Sequence, residues 1–396
     1  MLSAYSNEKE IVTLLHRSRK EIQQLKEQPF FCPICGSPVQ IKNGKVKIPH
    51  FSHTYQNACE STSKGETQEH LALKKMFVAW CEREGRNYEL EKYLPSLNQR
   101  PDLLIGKRAV EIQCSPLSVS RLIERNNVYQ DHEYQPIWIC GKKLVNGLKS
   151  LNELIKHLCN YSQNLGFYLW SADWQTKEVT LYFHIEEDWK KRVYAACRTW
   201  SADTASLTEI FKFPTEALIY HQRKYQLGQL ISDYYTELNR KLIKKEGQLR
   251  VVQGVLYNNH LHVLQLPYWF YYPGIHLFCC RGSDLLLKER IWKWVQFFDQ
   301  NVFRPKELES SLKSQIAKSA ELFYEFPAIP FAQLQDYCFA QLFNQLVDCH
   351  HLIRTTTGWK VNAGKSVQSM VEVNKWLKRI KNRRLNSATP YRSMIL

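Results

Sequence analysis

No apolar run in this 396-residue chain reaches the length needed to cross a membrane. The most hydrophobic stretch, Tyr268 to Cys280, is interrupted by Pro273, Gly274 and His276. The first residues, with Ser6, Asn7, Glu8, Lys9 and Glu10, lack the apolar core of a secretion signal. There is no internal repeat and no low-complexity segment. Acidic residues are scarce against basic ones: 38 Asp plus Glu face 54 Lys plus Arg, a net charge of +16. That balance points to a polyanionic partner, nucleic acid or an anionic membrane surface. Twelve cysteines in a long chain without a secretion signal read as reduced thiols or metal ligands rather than disulfides. The expected compartment is the cytoplasm.

What is present is most informative between residues 101 and 113, which read PDLLIGKRAVEIQ. Gly106-Lys107 is a two-residue turn with glycine first. It predicts a hairpin in which Leu103 faces Val110, Leu104 faces Ala109 and Ile105 faces Arg108. Asp102 then falls opposite Glu111, on the face shared with Gln113, while Leu103, Ile105, Val110, Ile112 and Cys114 turn to the apolar side. Opposed residues sit about 5 Å apart at Cβ, where like charges repel unless a cation lies between them. The pair therefore proposes a metal-dependent phosphodiesterase site. An exposed hairpin edge that carries two acids by chance is the plainer alternative.

Length alone allows two or three domains. Residues 1–60 read as a small β module with one polar helix, RSRKEIQQLKEQ, stopped by Pro29, and a hairpin pairing 39–41 with 46–48 through Asn43-Gly44. Residues 61–145 read helix, hairpin, helix, strand, with a helix over 66–80, another over 118–129 and a buried strand at 136–140. This order gives a mixed sheet flanked by helices. Residues 146–396 read as mainly helical and basic. Strand pairs are expected at 167–170 with 179–185 and at 251–257 with 260–266. Helices are expected over 227–242, 285–298, 307–324 and 331–350.

Four further groups bear on chemistry. Cys32 and Cys35 precede His50 and His53 by a spacing that suits one structural Zn²⁺, with Cys59 as a substitute for either histidine. Glu66, His70 and Lys74 recur every four residues on the first long helix, with Glu69 beside them. Either glutamate is a candidate third carboxylate, and His70 or Lys74 a phosphate contact. Arg121 and Arg125, one helical turn apart, are candidates to clamp a DNA backbone, or else a solvated face. The basic run 375–384 with Trp376 suits phosphate contact plus stacking, and the aromatic stretch 267–273 is more readily core than a base platform.

The ordered set of a CPIC knuckle, an HFSH element, a GETQEHLALKK helix, a PDLLI…VEIQCS hairpin and a PIWIC strand resembles the competence protein CoiA family. The middle domain of that family looks like a PD-(D/E)XK nuclease. The resemblance implies a cytosolic protein of naturally transformable bacteria, needed after DNA uptake for incoming strands to recombine. It implies Mg²⁺ or Mn²⁺ on Asp102, Glu111 and the Ile112 carbonyl, with Glu66 or Glu69 as the upstream helix carboxylate. Gln113 stands where the signature usually has lysine, and it would position water without supplying charge. The expectation is thus an α+β multidomain protein: a zinc-ribbon-like module, a PD-(D/E)XK restriction-endonuclease-like α/β core and a largely helical C-terminal region. The expected partners are DNA, single-stranded or in recombination intermediates, and other competence or recombination proteins. The rival expectation is a non-catalytic recombination mediator that keeps the nuclease fold for binding.

Overall fold

The computed structural model describes residues 1–54, 59, 66–212, 224–364, 368–380 and 384–386. Its packing forms two units: Met1–Ser162 with Tyr168–Phe183 and Cys197–Ala217, and Gln163–Phe167 with His184–Ala196 and Leu218–Leu396.

The first unit begins with β1 (Ser3–Tyr5), β2 (Ile11–Thr13), α1 (Arg19–Leu25), β3 (Phe30–Phe31), β4 (Pro38–Lys42) and β5 (His50–His53), in sheet order β2-β1-β3-β4-β5. Ser18 opens α1 with a capping box: its side chain accepts from the Glu21 amide, and Glu21 accepts from the Ser18 amide. Alternation in β4 buries Val39 and Ile41 and exposes the residues between them. The strand paired with β4 is not 46–48, as the Asn43-Gly44 signal suggests, but β5, with Ile41 opposite Phe51 and Lys42 opposite His50. Burial decides the register. Phe51 is 1% exposed and packs on Phe30 at 5.0 Å between ring centres, whereas Val46 is 85% exposed. Arg19 holds the intervening loop through Asn43 Oδ1 and the Gly44 carbonyl.

Next come α2 (Gln68–Arg83), β6 (Glu89–Leu90), β7 (Leu103–Ile105), β8 (Arg108–Gln113), α3 (Val119–Asp131) and β9 (Gln135–Gly141). The hairpin register is the expected one: Leu103 opposite Val110, Leu104 opposite Ala109, Ile105 opposite Arg108. Gly106 supplies the left-handed φ of 60° that the turn requires. Helix α3 carries the chain back so that β9 lies parallel to β8, as a crossover demands. The chain continues through α4 (Lys142–Val145), α5 (Glu153–His157), β10 (Asn160–Ser162), β11 (Gly166–Asp173), β12 (Glu178–Asp188) and β13 (Val193–Ser201). The main sheet runs β13-β12-β11-β9-β8-β7-β6, so it does not stop at residue 145. The strand pair expected near 167–185 is present, with Leu169 opposite Tyr182 and Trp170 opposite Leu181.

In the second unit, helices span Leu227–Ile243, Leu285–Phe297, Pro305–Ala317 and Phe331–Asp348, close to expectation. The strand pair expected at 251–266 is absent: Gly247–Tyr257 is a helix. Leu249, Val252 and Leu256 are buried at helical spacing while Val251 and Val255 face out, so the apolar run follows a 3.6-residue period. Trp376, in the helix Met370–Ile380, stacks on Tyr268 with ring centres 4.5 Å apart. Those two rings therefore partner each other rather than standing open to bases. Residues 381–383 of the basic run lie outside the described residues. Among the described residues no helix is long and apolar enough to cross a membrane.

Two glycines give a graded test of these turns. Gly106 has open space where a Cβ would go, so Gly106→Ala meets only the cost of the left-handed φ, about 1 kcal/mol. At Gly274, φ is +80° and a Cβ would lie 2.8 Å from the Leu230 carbonyl carbon and 2.9 Å from the Ile231 nitrogen. Urea denaturation should show Gly274→Ala losing about 2–4 kcal/mol, clearly more than Gly106→Ala.

Candidate functional site

The turn places Asp102 just before β7, and its carboxylate reaches across to the neighbouring strand. Oδ2 accepts the Ile112 amide at 2.8 Å and lies 2.9 Å from His70 Nε2; Oδ1 lies 2.8 Å from the Lys74 ammonium. His70 and Lys74 are four residues apart on α2 and so share a face. Lys74, 1% exposed, also meets Glu66 at 2.8 Å and Glu91 at 2.7 Å. Glu66 precedes the helix, whose cap is Thr67, yet it still reaches Lys74. Glu91 was not legible in the sequence, because a single acid after a two-residue strand carries no pattern. Ligand atoms of Glu66, His70 and Asp102 lie within 4.8 Å of one another, close enough to surround one divalent ion.

The electrostatics follow from these contacts. Burial alone would raise the Asp102 carboxyl, but His70 and Lys74 outweigh it and hold it well below the ordinary carboxylate range. Burial likewise opposes ionisation of Glu66, and Lys74 is the largest of the charges that keep it low. Their stabilisation is therefore complete above about pH 5 and is lost as pH falls through the folded values.

Glu111 lies outside this cluster. Its Oε1 is held by Arg125 and, at 2.5 Å, by the Tyr129 hydroxyl, both from α3. Burial raises its carboxyl, with Arg125 acting in the opposite direction. The sequence pairs Asp102 with Glu111 around one ion; each carboxylate instead has its own cation. The signal for Tyr129 was its four-residue spacing from Arg125. Arg125, read as a DNA clamp, is committed to Glu111 and lies over the Trp138 ring at 5.5 Å. Arg121 faces Glu124 at 2.7 Å. Gln113 donates to the Ser115 carbonyl. Glu69 turns to the start of α4, where it accepts from the Lys143 amide at 3.3 Å, so of the two candidate helix carboxylates only Glu66 joins the cluster.

A second cluster sits in the N-terminal sheet. Ligand atoms of Cys32, Cys35, His53 and Cys59 lie within 4.8 Å of one another, and Cys35 Sγ is 3.3 Å from His53 Nε2. Gly36, with φ of 67°, closes the knuckle by donating to the Cys32 carbonyl at 2.9 Å. His50, expected as a ligand, is outside: its Nδ1 lies 2.8 Å from the Ile48 carbonyl. The reason is strand geometry. His50 and His53 are three apart on β5, and an odd separation sends them to opposite faces. Cys59 takes the vacant role. Burial pushes the Cys32 thiol up to about 11. Cys35 is brought down to about 6 against the effect of burial, by hydrogen bonds with Ser37, His53 and Cys59. Three thiols and one imidazole form a donor set that suits a closed tetrahedral site.

Comparison with known proteins agrees with this layout. The model of the competence protein CoiA N-terminal domain matches residues 14–62, and that of the competence protein CoiA nuclease-like domain matches residues 66–215. Together they span about half of the chain. The chain belongs to the competence protein CoiA family. It is similar to the competence protein CoiA of Bacillus subtilis (strain 168), at 32% identity over 123 residues, which cover 30% of this chain and 33% of that relative. The match thus spans about a third of the curated relative. No solved structure matches the chain. The nuclease-like match extends to residue 215 and so includes β11 to β13, in keeping with the continuous sheet.

Two outcomes are expected of the clusters. Elemental analysis of protein purified without chelator should find one tightly held ion per chain that is lost in Cys59→Ser and retained in His50→Ala. Lys74→Met should cost about 3–5 kcal/mol by urea denaturation, because it removes the buried cation that Asp102, Glu66 and Glu91 share.

Proposed function

We propose that this chain acts on DNA taken up during natural transformation, and that its nuclease-like domain hydrolyses phosphodiester bonds with a divalent ion. The observation that carries this reading is the approach of ligand atoms of His70, Asp102 and Glu66 to within 4.8 Å of one another beside the hairpin. The donor chemistry fits such an ion. An imidazole among carboxylates suits Mn²⁺ better than Mg²⁺, which prefers a shell of oxygens. When bound, the ion supplies Lewis-acid polarisation of a phosphoryl oxygen and a hydroxide near neutral pH. Asp102, held anionic by His70 and Lys74, keeps its oxygens charged for that purpose. Lys74 brings to the site the fixed positive charge that Gln113 does not supply. Arg125 and Tyr129 hold Glu111 through Oε1, apart from the group of His70, Asp102 and Glu66.

The net charge of +16 supports a DNA partner, single-stranded or in recombination intermediates, bound with strong salt dependence. Arg121 and Arg125 each face an acid, so phosphate contacts fall to cations elsewhere on the surface. The N-terminal cluster holds a structural Zn²⁺, with four protein ligands and no open position. Other competence or recombination proteins are the expected protein partners, and the cytoplasm the compartment.

A second reading, a non-catalytic recombination mediator, is favoured by one observation. The carboxylates of the site are already compensated by Lys74 and Arg125. One assay separates the two: purified protein with labelled single- and double-stranded DNA in Mn²⁺, Mg²⁺ or EDTA. Cleavage is expected with Mn²⁺ above Mg²⁺ and none with EDTA. His70→Ala and Asp102→Ala should lower it by about a hundredfold or more while retaining DNA binding. If no DNA form is cut, yet Asp102→Ala still abolishes transformation, the mediator reading replaces the nuclease one.

A further inference from the structure

The second unit contains a cleft of about 130 Å³ that none of the chemistry above uses. Its walls include Trp189, Tyr234 and Tyr271, and three lysines, Lys191, Lys241 and Lys288, lie around it. A buried cavity of about 150 Å³ accepts a benzene ring, so this space is of the size of one six-membered ring.

The side of the cleft that carries Trp189 and Lys191 is pre-formed. These residues sit on a turn held by Asp188, whose carboxylate is fully buried. Asp188 Oδ1 accepts the amides of Lys190 and Arg192, each at 2.9 Å; Oδ2 takes Arg192 Nε at 2.6 Å and the Tyr194 hydroxyl at 3.0 Å. Lys190 lies over the outer indole at 4.6 Å and reaches Asp233 at 3.7 Å. The indole is thus fixed from behind. Its Nε1 is nevertheless buried without a hydrogen-bond partner among the described residues.

The charges sort by depth. Lys288 is fully committed, donating to the Phe270 and Tyr272 carbonyls at 3.2 and 2.8 Å with Asp284 at 3.9 Å. Asp284 also has His276 at 3.7 Å, and Glu246 is paired with Arg240 at 3.0 Å, so neither acid stands alone against an anion. Lys191 is 57% exposed and touches Glu187 only at 3.4 Å. Lys241 makes no ion pair among the described residues. Lys241, and Lys191 beyond its single contact with Glu187, are the cations left to meet a phosphate.

We propose that this cleft binds one pyrimidine nucleotide, its ring against Trp189 and Tyr234 and its phosphate at Lys191 and Lys241. The inference rests on the DNA reading above and gives the second unit a role in it, as a nucleotide-sized holding point for single strands. Stacking of a base on an aromatic wall combined with lysine contacts is the general chemistry of single-strand binding. The same chemistry would accept a free pyrimidine nucleotide, and the test keeps the two sources apart.

The test uses the full-length protein and fluorescence anisotropy with three labelled ligands: a short oligothymidylate, an abasic strand of the same length, and a duplex. Calorimetry with thymidine monophosphate forms a fourth arm. The wild-type protein should prefer oligothymidylate to the abasic strand by about tenfold or more. Lys191→Ala combined with Lys241→Ala should weaken oligothymidylate about tenfold. Trp189→Phe, which keeps an aromatic ring but loses part of the stacking surface, should erase part of the preference for thymine over the abasic strand. Duplex binding should change less than twofold relative to these effects. Saturable thymidine monophosphate binding without preference among strands would assign the cleft to free nucleotide. If the wild-type protein binds oligothymidylate and abasic strand alike, and the variants match it, with no binding of the mononucleotide, the cleft proposal fails and the DNA reading stands. If the wild-type protein binds no DNA at all and no mononucleotide, both fail.

Discussion

Much of the first unit depends on one buried ammonium. Lys74 is 1% exposed, a position whose desolvation costs several kcal/mol, and it is tolerated because Asp102, Glu66 and Glu91 all lie within 2.8 Å. Glu91 extends the network: its carboxylate accepts the backbone amides of Leu2 and Ser3 at 2.9–3.0 Å. A single charge on α2 therefore fixes the first strand of the N-terminal sheet, the segment before the hairpin and the entry to the helix. Such a network contributes little net stability compared with well-packed apolar residues. What it supplies is a penalty for any arrangement that leaves one member unpaired.

That network also decides what the nuclease-like site is. Asp102 and Glu111 are neighbours across the hairpin, but His70 and Lys74 draw one of them toward α2, while Arg125 and Tyr129 draw the other toward α3. The two helices thus divide the carboxylates between them. Glu66, His70 and Asp102 consequently gather on the α2 side. The cysteine cluster obeys a similar rule on a smaller scale. Backbone pairing in β4 and β5 selects which side chain faces the knuckle, and the ligand spacing follows from that selection.

Where chemistry is local, the sequence was sufficient. The Gly106-Lys107 turn and the alternation around it determine the pairing of Leu103 with Val110, because turn type and side-chain period leave only one register that buries the apolar set. The polar helix α1, the long helices of the second unit and the CPIC knuckle are of the same kind. The charged helix face of α2 was likewise visible as a four-residue spacing, and with the resemblance it carried the family and the nuclease-like architecture.

Other features needed the tertiary structure, for identifiable reasons. A spacing of Cys-x2-Cys and His-x2-His does not say that the histidines lie on a strand, where His50 and His53 must diverge and Cys59 must replace the first. The apolar run near Val251 fits either a strand or a buried helix stripe over so few residues, and only its packing chooses the helix. Charge is the clearest case. The sequence determined that Lys74, Arg125, Asp102, Glu66 and Glu111 exist, and that α2, α3 and β8 carry Lys74, Arg125 and Glu111. Which acid each cation meets was decided by tertiary contact, since Coulomb attraction in a desolvated interior depends on distances of a few ångströms between residues tens of positions apart.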